Sequence, residues 1–363
     1  MNNGKKGGFL WIILVAVLAC ALVVIAGIAI YKNTTGQKPD DTGSSSEATE
    51  SNSDVETGTE SETGSEAVSE TDSEPETQME EPDKADGSET FVMFGVDSRG
   101  DQLGKGTRSD SIMLINVNHD KGEVKVVSIY RDCMLYQEGK GYKKISSAHS
   151  YFGPEGALDV INENFDMNIE KYVTVNFGTL TELVDRIGGV EIEVSDAEIE
   201  HINASSTEQI SGAGVHLLNG EQALAFSRIR KLAGSDYKRT ERQREVLFEI
   251  FETSKGMGTF ERINLAKDML DEVNTNYSTD ETVSLLYYMS KYEIVEMTAY
   301  PQVFYGGSVD GSWVEVPCTL IDMNTELHKI LFGETDYTPS ERVKEISQTL
   351  RNKVSGPNID QRN

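Results

Sequence analysis

Near its amino terminus this chain carries an unbroken apolar run. Phe9 to Tyr31 spans 23 residues without a charged side chain, enough for a helix to cross a hydrocarbon core of about 30 Å. A cleaved secretory signal has a shorter apolar region of about 7–15 residues and a small-residue cleavage site, so we favour an uncleaved anchor at residues 9–31. The short arm at residues 1–8 and the acidic stretch after the run favour a cytoplasmic amino terminus.

An acidic, low-complexity segment follows, which we place at residues 32–89. Asn33 to Thr90 is rich in Ser, Thr, Glu, Asp and Gly, has no aromatic side chain, and contains 18 acidic residues against two lysines. Its net charge of -16 is more than half of the chain's -28. Such a segment cannot bury enough apolar surface to offset chain entropy, so we expect a disordered stalk and not an acidic binding tail.

The rest of the chain is long enough for one large hydrophobic core. We expect a catalytic domain at residues 90–252, a C-terminal part at 253–350 packed on the same domain, and a tail at 351–363. Only Cys133 and Cys318 of the three cysteines lie in this folded part. They form neither a disulfide framework nor the paired Cys/His spacing of a zinc site.

Three runs typical of strands open the folded part. Phe91–Val96 is continuously apolar, and Ser111–Val117 and Val124–Tyr130 are separated by a turn-rich stretch that predicts a hairpin. If all three are antiparallel neighbours, one sheet edge gathers the end of the first, the start of the second and the end of the third. Ligands favour strand ends in such sheets, so this edge is a candidate site. Its charged residues are Asp97, Arg99, Arg108, Asp110, Arg131 and Asp132.

Downstream, helical and strand patterns alternate. Capping residues and glycines mark the ends of the helices, and alternating apolar positions mark the strands. The expected elements are a helix at Pro154–Phe165, a strand at Lys171–Phe177, a helix at Thr179–Ile187, a strand at Val190–Val194, an irregular insertion at Ser195–Gly214, and a short helix capped by Asn219 and ending near Phe226. The pattern predicts a mixed α/β fold, with a central mixed sheet flanked by helices on both faces.

Five arginines fall within twenty residues, in spite of the chain's acidity: Arg228, Arg230, Arg239, Arg242 and Arg244. The guanidinium fork fits phosphate oxygens, so the cluster indicates a local anion site. From Asp236 we expect a helix of about 16 residues. One inward stripe of it holds Arg239, Arg242, Gln243, Val246, Leu247 and Ile250. A helix amino terminus pointing inward favours an anion.

Plainer interpretations stand beside these. An aspartate after a strand is often a turn residue, Arg131–Asp132 could be a structural ion pair, and the helical arginines could be an ordinary salt-bridged face. Taken together, Asp97 and Asp110 can hold a divalent ion such as Mg²⁺, with arginines taking up phosphate charge.

These motifs resemble the LytR-CpsA-Psr proteins of bacterial cell envelopes. The resemblance extends from about Phe91 to Ile250 and more loosely to Asn276. The matching motifs lie at residues 94–99, 107–111, 128–132, 184–190 and 218–224 and in the arginine block through Arg244. Tyr130 stands where the family usually has proline, and Ser146 where asparagine is usual.

The resemblance implies an extracytoplasmic phosphotransferase that moves a glycopolymer from a polyprenyl-pyrophosphate carrier to a sugar hydroxyl of peptidoglycan. It also implies an apolar groove for the lipid tail, between the sheet and its helices. By family pattern Asp97 and Asp110 are the Mg²⁺ ligands. With Arg99 added from the strand-end edge, the expected pyrophosphate-binding residues are Arg99, Arg108, Arg131, Arg228, Arg230, Arg239 and Gln243. The expected catalytic residues are Arg131, Arg108 and Asp236, the last orienting the arginines.

Three functions are compatible with these candidate site residues. We favour the transferase over a non-catalytic envelope protein that binds anionic lipid or polymer, because paired carboxylates add nothing to a pure anion binder. A pyrophosphate hydrolase releasing the polymer is the third. The family's other label, transcriptional attenuator, finds no support in an acidic chain without a basic face, so we expect no nucleic acid partner. The expected partners are the lipid-linked glycopolymer, peptidoglycan and the bacterial cell membrane, spanned once.

Overall fold

A computed structural model describes residues 85–98, 102–230, 232, 235–258, 261, 265, 272–289, 291–317 and 319–354. The predicted membrane span and most of the predicted stalk lie outside these residues, as do Arg99 and Cys318. Within the described part of the chain, no helix combines the length and apolarity needed to cross a membrane.

A six-stranded mixed sheet forms the centre of the described structure. Its strands are β1 (Ser88–Val96), β2 (Ser109–Asn118), β3 (Glu123–Ile129), β6 (Lys171–Asn176), β9 (Asn274–Thr275) and β10 (Glu293–Tyr300). They lie in the order β10-β3-β2-β1-β6-β9. The predicted hairpin of β2 and β3 is confirmed, and β1 pairs antiparallel with β2, as the candidate edge required. Strands β6 and β10 add parallel neighbours to β1 and β3.

Both faces of this sheet are covered, which confirms the predicted architecture. In β1, Phe91 and Met93 face one core, whereas Val92 and Phe94 face the other. Burial on both sides explains why β1 reads as a continuous apolar run. The helices of the first core are α2 (Phe177–Arg186), α4 (Gly220–Ser227) and α5 (Ser235–Lys255); those of the second are α1 (Ser146–Phe165), α7 (Leu320–Phe332) and α8 (Glu341–Lys353).

Three two-stranded hairpins and two further helices complete the described elements. The hairpins pair β4 (Met134–Gln137) with β5 (Gly141–Lys144), β7 (Val190–Val194) with β8 (Gly214–Leu218), and β11 (Phe304–Val309) with β12 (Ser312–Pro317). The helices are α3 (Asp196–Asn203) and α6 (Thr279–Met289).

The expectation of an irregular insertion after β7 was wrong. Helix α3 starts there with a capping box, in which Ser195 and Glu198 satisfy each other's backbone N–H groups. Ile199 and Ile202 of this helix are buried in the first core. The Ser-x-x-Glu spacing was the sequence signal for this helix.

Several predicted boundaries also shift. Helix α1 begins eight residues before the predicted Pro154, because a first helical segment joins it across Gly153, whose φ of 85° is a conformation that glycine tolerates. Helix α5 has 21 residues and not about 16. It extends beyond the expected boundary at 252/253 because its buried side chains continue to Ser254. Strand β1 starts at Ser88, before the expected domain start.

Candidate active site

An open cavity of about 810 Å³ lies at one edge of the central sheet. The end of β1, the start of β2 and the end of β3 share this edge because β2 is antiparallel to both neighbours. Since β6 runs parallel to β1, with Asn176 opposite Val96, helix α2 also begins there. We call this the arginine cavity. Its lining residues are Asp97, Ser98, Gln102, Gly106, Thr107, Arg108, Asp110, Arg131, Phe177, Arg228, Arg230, Arg239 and Gln243.

The carboxylate of Asp110 joins two arginines from distant parts of the chain. Nη1 of Arg131 donates to Oδ1 in a short contact, and Nη2 of Arg230 donates to Oδ2 at 3.1 Å. The side chains of Asp110 and Arg131 are only 10% and 14% exposed, whereas that of Arg230 is 51% exposed. Asp110 therefore offsets the mutual repulsion of two guanidinium groups that face the same space.

The structural ion pair of Arg131 with Asp132 is also present. Arg131 Nε lies 3.6 Å from Asp132 Oδ1, an ion-pair distance longer than a hydrogen bond. Lys144 Nζ lies 3.0 Å from the same oxygen. Asp132 does not line the arginine cavity, although it was expected at this edge. It helps to hold Arg131, which reaches the cavity through its other nitrogens.

Helix α5 brings Arg239 and Gln243 to the cavity. Arg239 is 1% exposed, and the inward stripe predicted from helical spacing is largely buried. Arg242 is also buried, but it does not line the cavity: its Nε lies 2.7 Å from Glu198 Oε1, and its Nη1 donates to the Ile229 carbonyl at 3.3 Å. Arg242 is therefore salt-bridged, but its partner lies on α3, so the plainer interpretation of an ordinary salt-bridged face within one helix is not the observed arrangement.

The Glu198–Arg242 contact helps to lower the pKa of the Glu198 carboxyl group. Desolvation by itself would raise the pKa of Glu198. Hydrogen bonds from Ser195 and from Arg242 favour the ionised form more strongly, and they hold the pKa below its usual value. This pair consequently joins α3 to α5 as a charged contact.

Phe177 is a site residue that the sequence analysis missed. It is the first residue of α2, which Asn176 caps by accepting from the Thr179 N–H at 2.9 Å. The guanidinium of Arg228 lies over its ring, 4.6 Å from the centroid. The available signal was its position directly after a buried strand at the edge where β1 ends.

A narrow apolar cavity of about 60 Å³ adjoins the arginine cavity. The two share Phe177 and Gln243. The walls of the apolar cavity come from β1 and β6 on the sheet side and from α2 and α5 on the helix side, with Leu183, Val246 and Leu247 among them. This is where the family resemblance implied a groove for a lipid tail.

Two carboxylates are available for a cation. Asp97 and Asp110 both line the arginine cavity. In the described ranges no group of three or more His, Cys, Asp or Glu side chains is arranged to hold a metal. Mg²⁺ typically takes one or two protein carboxylates and completes its shell with water and phosphate oxygens, so this donor set fits Mg²⁺.

Eight of the sequence-predicted site residues thus share one cavity: Asp97, Arg108, Asp110, Arg131, Arg228, Arg230, Arg239 and Gln243. Asp236 lies in the first turn of α5, and its side chain is outside the described part. Arg99 is also outside it. Their predicted roles remain predictions.

The sequence matches the LytR_cpsA_psr family over residues 43–329, more than half of the chain. The chain belongs to the LytR-CpsA-Psr family. It is 30% identical to the polyisoprenyl-teichoic acid–peptidoglycan teichoic acid transferase TagT of Bacillus subtilis (strain 168) over 225 residues, which cover 60% of this chain and 69% of TagT.

Solved structures of TagT share the fold of this LytR-CpsA-Psr protein. TagT bound to LI-WTA superimposes with a TM-score of 0.56 at 27% identity, covering 68% of this chain and 91% of that one. TagT with bound octaprenyl pyrophosphate lipid gives a TM-score of 0.54 at 25% identity, covering 70% and 94%. A mixed sheet flanked by helices is therefore the shared architecture.

Proposed function

We propose that this LytR-CpsA-Psr protein transfers a glycopolymer from a polyprenyl-pyrophosphate carrier to peptidoglycan. The observation that carries the proposal is the meeting of two cavities at Phe177 and Gln243, one lined by five arginines and one apolar. A pyrophosphate with a lipid tail requires this combination, because its charged and apolar parts are covalently joined. The relatives named as teichoic acid transferases, and the TagT structure with octaprenyl pyrophosphate, support the same substrate class.

In the proposed reaction an acceptor hydroxyl forms a P–O bond to the glycan phosphate, and its proton passes to solvent. The bond from that phosphorus to the bridging oxygen breaks, and polyprenyl phosphate leaves with the electron pair. Arg131 and Arg230 can exchange Asp110 for pyrophosphate oxygens, and Arg239, buried in the cavity wall, presents a fixed positive charge. Preorganised cations of this kind stabilise charge that develops on a leaving phosphate.

Asp97 and Asp110 are the residues that would hold Mg²⁺, the predicted cofactor. The ion, when bound, would neutralise phosphate charge and polarise the phosphoryl oxygens.

The predicted span at residues 9–31 would anchor the protein in the bacterial cell membrane, with its amino terminus in the cytoplasm and the folded part outside. This arrangement suits a donor whose lipid tail stays in the bilayer. The acidic stalk would give the folded part reach toward peptidoglycan.

The test incubates the purified full-length protein with Mg²⁺, a lipid-pyrophosphate-linked glycopolymer and peptidoglycan fragments. We expect polymer covalently attached to the fragments, detected by mass spectrometry. Free polymer with no attached product would instead identify a hydrolase. Bound donor without turnover would identify a non-catalytic binding protein, and either result would overturn the proposal.

A further inference from the structure

The first segment of helix α1, residues 146–152, contacts the backbone of two stretches that line the arginine cavity. The Ser146 N–H donates to the Arg131 carbonyl at 3.1 Å, and the Gly106 N–H donates to the Ser150 carbonyl at 3.1 Å. Gly106 and Arg131 both line the cavity. This segment therefore holds the residues after β3 and the loop before β2 in fixed positions relative to each other.

His149 lies in the middle of this segment and is completely buried. Its Nδ1 atom lies 3.1 Å from the Thr107 carbonyl oxygen and 3.4 Å from the Thr107 hydroxyl, and its Nε2 atom lies 3.4 Å from the hydroxyl of Thr174 on β6. The ring also packs edge-on against Phe94 of β1, with the ring centroids 5.2 Å apart. One side chain thus contacts the loop before β2 and two strands that end at the arginine cavity.

These contacts define which ring nitrogen of His149 carries the proton. A carbonyl oxygen only accepts, so Nδ1 must donate to Thr107. The Thr107 hydroxyl gives its one hydrogen to the Gly104 carbonyl at 2.8 Å, so it too can only accept from Nδ1. Burial lowers the pKa of His149 and favours the neutral ring, whose Nε2 accepts from Thr174. The imidazole therefore holds the loop through a donor and β6 through an acceptor.

Thr107 directly precedes Arg108, which lines the arginine cavity. The Arg108 side chain is exposed, so burial does little to restrict its rotamers. Its backbone is fixed instead. The Thr107 carbonyl lies in the peptide plane that leads into Arg108, and the Arg108 carbonyl accepts from the Asp97 N–H at 3.3 Å. Hydrogen bonds on both sides of Arg108 therefore limit where its guanidinium can lie, which is the preorganisation that an anion site requires.

We propose that His149 is a positioning residue for donor binding. Its Nδ1–H fixes the peptide bond between Thr107 and Arg108, and this directs the Arg108 guanidinium into the arginine cavity. The inference rests on the proposed function, which supplies the pyrophosphate that Arg108 meets. His149 acts through Arg108 and is not itself a catalytic residue, because its buried ring does not line the cavity.

The test uses two substitutions in the full-length protein that each keep one half of the imidazole. In His149→Asn the amide nitrogen takes the place of Nδ1 and can donate to Thr107. In His149→Gln the amide reaches the place of Nε2 and leaves the Thr107 carbonyl without a donor. With octaprenyl pyrophosphate and Mg²⁺ as the probe, we expect His149→Asn to keep the Kd within about twofold. His149→Gln should raise the Kd about tenfold.

Thr174→Val is the matched control, because it removes the hydrogen bond on the Nε2 side of the ring. It should lower the melting temperature, as His149→Gln does, and yet leave the Kd within about twofold. Arg108→Ala should raise the Kd about tenfold by itself. In that background His149→Gln should add no more than about twofold, because both changes remove the same contact with the pyrophosphate.

An unchanged Kd in His149→Gln, a tenfold loss in His149→Asn, or a loss that adds fully to that of Arg108→Ala would each overturn the inference. A Kd that rises in Thr174→Val together with its loss of stability would show a purely structural role and also overturn it. If His149→Gln does not fold, His149→Leu replaces it, since leucine has the shape of asparagine and no donor. If the unaltered protein does not bind the probe, the proposed function itself fails, and the inference with it.

Discussion

Charge balance around Asp110 explains how five arginines can line one cavity in a stable protein. Like charges in a partly buried space repel strongly unless a counter-charge lies between them. Asp110 provides that charge to Arg131 and Arg230 at once. A pyrophosphate carries more negative charge than one carboxylate, so it can take over both guanidiniums.

Arg131 should be the most sensitive of these arginines, because it is desolvated and braced by Asp132. We expect Arg131→Ala to lower the rate of polymer transfer about 100-fold to 1000-fold, the usual cost of removing one preorganised donor to developing charge. Single-turnover transfer assays measure this. Arg351→Ala, an exposed arginine on α8, is the control and should keep the full rate. Normal transfer by the Arg131 variant would exclude Arg131 from the reaction.

Substitution of Asp97 tests the proposed Mg²⁺ site without changing any of the arginines. Asp97→Asn keeps the side chain's size and removes its charge, so we expect the Mg²⁺ concentration for half-maximal donor binding to rise about tenfold or more. Mg²⁺ titrations of donor binding and of transfer measure the change. Asp159→Asn, at an exposed position of α1, should give the unaltered curve. Superimposable curves for Asp97→Asn and the parent protein would refute the metal role.

The elements that carry the site are joined by a few specific contacts. Helix α5 carries Arg239 and Gln243, and the Arg242–Glu198 pair links it to α3. The same Glu198 closes the capping box of α3 through Ser195. One carboxylate thus fixes a helix start and a helix–helix contact together.

Glu198→Gln should therefore destabilise the protein in a pH-dependent manner. The folded pKa of Glu198 lies below the usual value of 4.5, so its stabilisation is fully present above that pH and is lost as the pH falls through the folded pKa. We expect a loss of about 1.5–3 kcal/mol at neutral pH, shrinking below the unfolded pKa. Urea unfolding across a pH series measures it. Glu193→Gln, exposed on β7, is the control, and a pH-independent loss in Glu198→Gln would contradict this account.

Both ends of the described folded region contribute strands to the central six-stranded sheet. Strand β10, near the C-terminal end, pairs with β3 beside the site. An aromatic cluster extends this connection: Tyr237 of α5 stacks on Phe304 of β11 at 5.5 Å, and Tyr130 packs on both. Tyr130 directly precedes Arg131, so the C-terminal hairpin supports two arginine-bearing elements.

Substitution of Phe304 tests whether the C-terminal part unfolds together with the rest of the folded region. It is 6% exposed, and Phe304→Ala should lower the free energy of unfolding by about 3–5 kcal/mol, as for other buried phenylalanines. Chemical denaturation should be followed with two probes, one in the C-terminal hairpin and one on α5. Both probes should show the loss in the same single unfolding transition. Trp313→Ala, in the same hairpin but 48% exposed, should cost much less. Two separate transitions would show that the C-terminal part unfolds independently.

Sequence patterns predicted the elements with strong local signals. The first three strands, their antiparallel order, the Asn219 cap and the inward stripe of α5 all depend on periodicity or on caps within a few residues. Helix α3 was missed although its capping box is local, because the polar stretch after it resembled a loop. The partner of Arg242 could not be read from helical spacing, since spacing gives the face of a helix and not the side chain opposite it.

The sequence by itself determined which residues are charged, that β1 is a buried strand, and where α4 and α5 begin to within one residue, because these properties arise from neighbours along the chain. Only the tertiary structure decided which of the arginines act together. Arg230 reaches Asp110 across 120 residues of sequence, and Phe177 borders both the arginine cavity and the apolar cavity because β6 lies parallel to β1. Such contacts depend on strand order and helix packing, which the free energy of the whole core selects.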